Sequence, residues 1–234
     1  MKGTAMSFLC YKGDMKIQDI YDRYDIMPNL REHQLRVAGV VKYICSHFPE
    51  KLSDEKELIA ASLLHDIGNI IKFDLDSGTV PLAPEDIQYW KKVQRQYIDK
   101  YGTDEHKASA LIVKELGVSQ RIVELVGEQN FTHLCEYVAM KDIALVTLFY
   151  ADCRVAPFGV TTITERQENF KKRYEGRKDY FAAVHQEERK KYLVCLAELE
   201  KRILAYANIS EQDITNESIA PLIAELETMD IPLA

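Results

Sequence analysis

The chain has 234 residues, 47% of them hydrophobic and 29% charged, with a net charge of −7 and a pI near 5.5. That balance excludes intrinsic disorder, and a chain of this length buries roughly 70% of the surface its unfolded form exposes, so it needs neither disulfide nor metal merely to hold a core. The acidic balance argues against a dedicated nucleic-acid binder and makes any phosphate pocket a local feature.

Ala5 to Tyr11 is a brief apolar patch interrupted by Ser7 and followed by charge, too short for a secretory hydrophobic region, and reads as an unprocessed N-terminus. Beyond it the few glycines and prolines fall between segments whose apolar residues recur at three and four, so the chain reads as all-α. Pro28 and Asn29 open a helix in which Leu30, Val37, Val41, Ile44 and Phe48 share one face until Pro49. The next begins at Asp54, where Glu57 completes a capping box, and carries Leu58, Ala61 and Leu64 toward Gly68. After a polar turn around Asp76 to Thr79, Pro84 takes the first turn of a helix that runs to about Tyr101 and stops at Gly102. Thr103 caps a helix ending at Gly117, and Ser119 caps another through about Val126.

Met140 to Val155 forms the most apolar helix, ahead of Pro157 and Gly159. Its apolar stretch, Ile143 to Ala151 with Thr147 inside, is less than half of the roughly 20 residues a membrane span needs, so no membrane association is expected. From Thr164 a Thr-x-x-Gln capping box introduces long charged helices, broken near Glu175 and Gly176, and a last pair of short helices follows Ser210 and Ser218. The run Lys171, Lys172, Arg173, Arg177 and Lys178 is interleaved with acids and reads as a solvated helix face. No repeat or Ser/Gly linker divides the chain. The expected organisation is an N-terminal segment (1–28), a helical core (29–160) and a C-terminal helical extension (161–234) packed on that core, whose Tyr and Leu residues would support a homodimer.

The five cysteines (Cys10, Cys45, Cys135, Cys153, Cys195) are odd in number and far apart, with no CxxC pair. They suggest neither a disulfide framework nor a zinc ribbon, and a reducing cytoplasmic setting fits them best.

The main chemical signal is a conflict between pattern and residue type: metal-capable side chains sit on stripes that are otherwise apolar. His33 lies four residues before Val37 and eight before Val41. His65 lies four after Ala61 and seven after Leu58, with Asp66 immediately following. Asp152 lies four after Leu148 and seven after Leu145 in the most hydrophobic helix, where it should be buried. A buried ionised aspartate is costly unless paired, hydrogen-bonded or bound to a cation. Two of them beside two histidines point to a divalent metal, for which imidazole and carboxylate donors suit zinc, manganese, iron, cobalt or nickel. The absence of thiolates makes the set look catalytic rather than structural.

His33, the run His65-Asp66-Ile67-Gly68 in the context SLLHDIGN, and Ala151-Asp152 near the end of a later apolar helix closely resemble the HD-domain superfamily of metal-dependent phosphohydrolases. The contexts NLREHQLRVAGV and ADCRVAPFGVTTITER resemble a bacterial branch of it, and the resemblance covers about Asn29 to Arg166. It implies an HD-domain bundle of five or more helices in which His33, His65, Asp66 and Asp152 surround one divalent ion, magnesium included among the candidates. Gly68 either lets the chain turn or another helix approach behind the site, or is an ordinary helix-end glycine.

Such an ion would activate water against the phosphate ester of a small substrate, most plausibly a nucleotide. Because two carboxylates offset the ion's charge, substrate phosphate also needs cations: Arg36 one turn after His33, Lys72 after the HDIG turn and Arg154 two residues after Asp152 are the candidates, each with a surface or ion-pair role as the alternative. His106, with Ala110 and Val113 on its face, matches the first histidine that two-metal relatives add, but the next is missing around Glu128, Gln129 and Asn130, and His133 comes late. His106 is then a phosphate contact or a partner of bound water, and Glu128 a substitute ligand or a loop residue. Two alternatives stay open: a di-iron oxygenase on the same scaffold, and a nucleotide-binding module without activity. Alarmone hydrolases carry an acidic pair shortly after His-Asp, and cyclic-dinucleotide hydrolases a Gly-Tyr-Pro signature; both are absent.

Overall fold

Ile17, Ile20 and Tyr21 place three fully buried side chains on one face of α1 (Ile17–Arg23), which follows the two-residue strand β1 (Met15–Lys16) in the computed structural model. The structure describes residues 13–78, 80, 82–174 and 186–233. The apolar patch at Ala5 to Tyr11, the break at Glu175 and Gly176, and Arg177 and Lys178 lie outside them, as do the side chains of Lys171, Lys172 and Arg173.

Pro28, whose missing N–H costs nothing at a first helical position, starts α2 (Pro28–Ser46). This helix buries Leu30, Val37, Val41 and Ile44, as the spacing predicts. α3 (Glu55–Leu64) ends just before the histidine–aspartate pair. The capping box expected at its start does not form: Asp54 makes no cap bond and instead accepts from Arg121 Nε at 2.8 Å. A 3-10 turn (Asn69–Lys72) follows, and then a second one at Pro84–Asp86 leads into α4 (Ile87–Tyr101).

α5 (Glu105–Leu116) is capped by Asp104, which accepts from the Lys107 N–H at 3.0 Å, rather than by Thr103; two capping residues stand side by side and the carboxylate is the one in register. Ser119 caps α6 (Gln120–Gly127) as expected. After α7 (Leu134–Tyr137) comes α8 (Ile143–Cys153), capped by Asp142 and buried at every residue from Ala144 to Ala151 because α2, α3, α6 and α10 (Gln186–Ala207) surround it. No described helix is long and apolar enough to cross a membrane.

A short antiparallel hairpin, β2 (Val155–Ala156) and β3 (Gly159–Val160), separates α8 from α9 (Ile163–Tyr174). The capping box of α9 is Thr162 with Glu165, two residues ahead of the expected Thr164 and Gln167. Near the C-terminus, Ser210 and Asp213 box a 3-10 turn (Glu211–Asp213), and Thr215 caps α11 (Asn216–Leu226), so Ser218 lies in its first turn and does not precede it. α11 packs on α2, where Gly39 lets the axes close up: a Cβ there would meet Ile219 and Ile223 at 3.2–3.4 Å. β4 (Asp230–Ile231) pairs antiparallel with β1, joining the two ends of the described chain.

Cys135 on α7 and Cys195 on α10 are disulfide-bonded, with Cα atoms 5.1 Å apart across 60 residues of sequence. This corrects the reading of the cysteines: separation along the chain conceals a contact between packed helices, and the cysteine count carries no argument about compartment.

Candidate metal centre

α2, α3 and α8 pack on one another, and each brings a polar side chain to a shared point. His33 comes from the second turn of α2, His65 and Asp66 from the turn at the end of α3, and Asp152 from the last turn of α8. His33 Nε2 lies 3.0 Å from Asp152 Oδ1 and 3.5 Å from Asp66 Oδ2. His65 Nε2 lies 3.6 Å from Asp66 Oδ1 and 3.8 Å from Asp152 Oδ1. Donor atoms of His33, His65 and Asp66 all fall within 4.8 Å of one another, and no other such group occurs among the described residues. All four residues singled out in the sequence therefore converge.

The centre is graded in exposure. His65 is closed off at 2% side-chain exposure, whereas Asp152 is 34% exposed. The expectation that Asp152 is buried is thus corrected: at the end of α8 its side chain is partly exposed, the most accessible of the four.

The fit to a cation rests on His65. Its Nδ1 is 2.8 Å from the Ser62 carbonyl oxygen, which can only accept, so Nδ1 carries the proton. Nε2 is buried, makes no hydrogen bond among the described residues, and faces the two carboxylates. An imidazole oriented by a carbonyl at one nitrogen with a free donor atom at the other is the usual form of a histidine metal ligand. Burial disfavours the imidazolium of His65, but Asp66, Asp152 and the Ser62 carbonyl outweigh it and its pKa is pushed up to about 9. Burial likewise opposes ionisation of Asp152, yet His33 and His65 hold its carboxyl well below the usual range, and Asp66 is lowered chiefly by His65 against the same opposition. The site favours ionised acids facing a positive charge.

One support, Gln34, was not marked as functional in the sequence. Gln34, next to His33 and fully buried, accepts the Asp66 N–H through Oε1 at 3.3 Å and so ties the His65–Asp66 turn to α2. Its signal was available, since it lies four residues before Ala38 on the buried stripe. Gly68 resolves in favour of close approach: a Cβ would stand 2.7 Å from Ser109 N and 2.9 Å from Ala108 Cβ, and its own N–H donates to Ser109 Oγ at 3.0 Å.

The candidate cations separate. Arg36 reaches the Pro157 carbonyl at 3.3 Å and Glu32 at 3.1 Å, beside the hairpin that follows Asp152. Lys72 and His106 both face Glu105, at 3.9 and 3.8 Å, next to Gly68, and Lys72 contributes to lowering Asp66. Glu128 lines a cavity with Arg121, Glu124 and Asp142. Arg154 is a correction. It is 1% exposed and donates to Thr161 O (2.7 Å), Tyr150 Oη (2.8 Å), Glu211 O (3.1 Å) and Ile214 O (3.3 Å), so all three of its nitrogens are committed to holding the C-terminal segment. Adjacency to Asp152 misleads because two residues on a helix point about 200° apart. The cation that does stand near Asp152 is Arg166 on α9, with Nη2 3.9 Å from Oδ1. Its position three residues after the buried Ile163 was the clue.

Comparison with known proteins agrees with this geometry. No curated protein and no solved structure matches the chain. The HD domain family model matches residues 30–156, which span α2 to the hairpin and contain all four converging side chains. The chain therefore belongs to the HD-domain family.

Proposed function

We propose that this protein hydrolyses a phosphate ester of a small substrate, a nucleotide, at a divalent ion held by His33, His65, Asp66 and Asp152. The observation that carries the reading is the buried Nε2 of His65, which makes no hydrogen bond among the described residues and faces two carboxylates, an arrangement that a divalent cation between them would satisfy. The ion would be manganese, iron, cobalt, nickel, zinc or magnesium, and when bound it supplies a water of lowered pKa and polarises the phosphoryl group.

The chain's own residues do the rest. Ser62 fixes the His65 ring through Nδ1, and Gln34 fixes Asp66 through its backbone, so the donors need little rearrangement. Asp152 is the most exposed of the four side chains, so the ester would approach from its side. Neither His106, which faces Glu105, nor Glu128, which lines a cavity with Arg121, Glu124 and Asp142, belongs to a metal-capable cluster among the described residues.

The test is a phosphate-release screen over nucleotides and simple phosphate esters with each of those metals beside a chelated blank. Metal-dependent release that disappears in His65→Ala and Asp152→Ala is expected. Full turnover in either variant, or release that persists in chelator, would end the proposal; tight nucleotide binding without product would favour the inactive module.

A further inference from the structure

The geometry points to Arg166, on the helix that follows the family-matched region, as the group that grips the substrate's phosphoryl oxygens at this centre. The inference rests on the hydrolase reading above, and names the residue by which this chain completes the site.

Charge sets the requirement. Two ionised aspartates balance a divalent ion while the histidines are neutral ligands, so a phosphate entering the centre meets no net positive charge from the metal cluster alone. Of the other nearby cations, Arg36 is engaged with Glu32 and the Pro157 carbonyl and Arg154 with carbonyls in the interior, whereas Lys72, 3.9 Å from Glu105, is 43% exposed and faces an acid outside the four-residue centre. Arg166 differs from each. Its side chain is only 25% exposed, and its one ion pair among the described residues is with Asp152 Oδ1 at 3.9 Å, too long for a hydrogen bond. Among the described residues its guanidinium makes no hydrogen bond, so five donors gather at the open edge of the centre with no acceptor in place.

Asp152 Oδ1 does not supply that acceptor at 3.9 Å; its close contact is with His33 Nε2, at 3.0 Å. A mostly covered guanidinium without hydrogen bonds is a poor structural ion pair but a well-placed fork for a tetrahedral oxyanion. The arrangement is also built. The reciprocal Thr162–Glu165 cap fixes the first turn of α9, and Arg154 donates to the Thr161 carbonyl just before it. α9 therefore leaves the hairpin in a set direction that brings Arg166 back toward Asp152. Residue 166 lies beyond the matched residues 30–156, so this contact belongs to the chain's own continuation of the fold.

The experiment uses the full chain loaded with manganese and titrates inorganic phosphate calorimetrically into wild type, Arg166→Ala and Arg166→Lys, with manganese affinity measured on the same samples. Expected are a loss of phosphate affinity of about 10- to 100-fold in Arg166→Ala, a smaller loss in Arg166→Lys, and manganese affinity within about threefold of wild type. Phosphate binding equal to wild type in Arg166→Ala, no phosphate binding by wild type, or loss of manganese along with phosphate would overturn the assignment, the last by making Arg166 a support for Asp152. Labelling of the wild-type protein with phenylglyoxal gives a check independent of variants: phosphate should slow modification of Arg166, and unchanged labelling counts against it. Arg166-dependent phosphate binding with no ester cleaved by any metal would defeat the hydrolase reading and leave this one standing.

Discussion

His65 Nδ1 stands 2.8 Å from the carbonyl oxygen of Ser62, three residues earlier, and this contact turns Nε2 toward His33 and the two aspartates. The tautomer is thus fixed by the backbone of α3, and the helix end that carries the residue also selects its metal-facing nitrogen. Because a cation bound only by the folded chain stabilises it by mass action, manganese at a hundred times its dissociation constant should raise wild-type stability by about 2.7 kcal/mol. His65→Ala and Asp152→Ala should show almost none of that gain, with secondary structure unchanged by circular dichroism. A manganese-induced rise in melting temperature equal to wild type in both variants would show that the ion binds elsewhere.

Gly68 is where the α3 turn and α5 nearly touch. A methyl group at this position would stand 2.7 Å from the Ser109 backbone nitrogen and 3.0 Å from the Glu105 carbonyl oxygen, atoms of a helix that cannot yield by rotating a side chain. Gly68→Ala should destabilise the fold by about 1–3 kcal/mol through overpacking and lower metal affinity, since the turn to be displaced carries Asp66. Denaturant melts and a manganese titration measure both effects. A variant of wild-type stability and affinity would mean that α5 moves aside freely.

Arg154 and Asp152 are neighbours in sequence with opposite fates. Arg154 ties the end of α8 to Thr161, Glu211 and Ile214 and shares Tyr150 with Glu200, all inside the protein. Arg154→Lys keeps the charge but loses the fork, leaving buried carbonyls without donors, and should cost about 3 kcal/mol or more. Its residual folded fraction should retain wild-type KM. A stable Arg154→Lys with a raised KM would restore the residue to the substrate site.

The four converging residues were legible because a histidine or aspartate on an apolar stripe contradicts its surroundings, and helical spacing alone exposes that contradiction. Gln34 and Arg166 obey the same logic at Ala38 and Ile163, but glutamine and arginine lack an established pairing with metal and draw no notice singly. Arg154 was misplaced because proximity in sequence was read as proximity of side chains. Caps were misplaced by one or two residues wherever capping types repeat, as at Thr103 and Asp104 or Thr162 and Thr164, since local pattern cannot choose between adjacent registers. The Cys135–Cys195 bond was invisible for a different reason: it joins α7 to α10, and only the packing of those helices makes the pair.

Arg121 joins three elements that frame the centre from behind. It donates to Asp142 with both terminal nitrogens, at 2.8 and 2.7 Å, and to Asp54 through Nε, while Asp142 also caps α8 through the Leu145 N–H. The Arg121 hydrogen bonds are the main cause of a lowered Asp142 pKa, with burial opposing and the cap assisting. A carboxylate depressed in this way contributes stability above its ordinary pKa near 4 and loses that contribution as pH falls through the lower folded value. Arg121→Met keeps the apolar stem and removes the donors, so it should cost about 1–2 kcal/mol at pH 7, a modest figure because the groups are partly solvated. The gap between the two proteins should then narrow steadily below pH 4, as Asp142 takes up its proton in wild type and the pair is lost there too. Urea melts of chelated samples from pH 7 to pH 2.5 read this directly, and a gap that stays constant over the whole range would mean that the arginine acts by packing and not through its carboxylate partners.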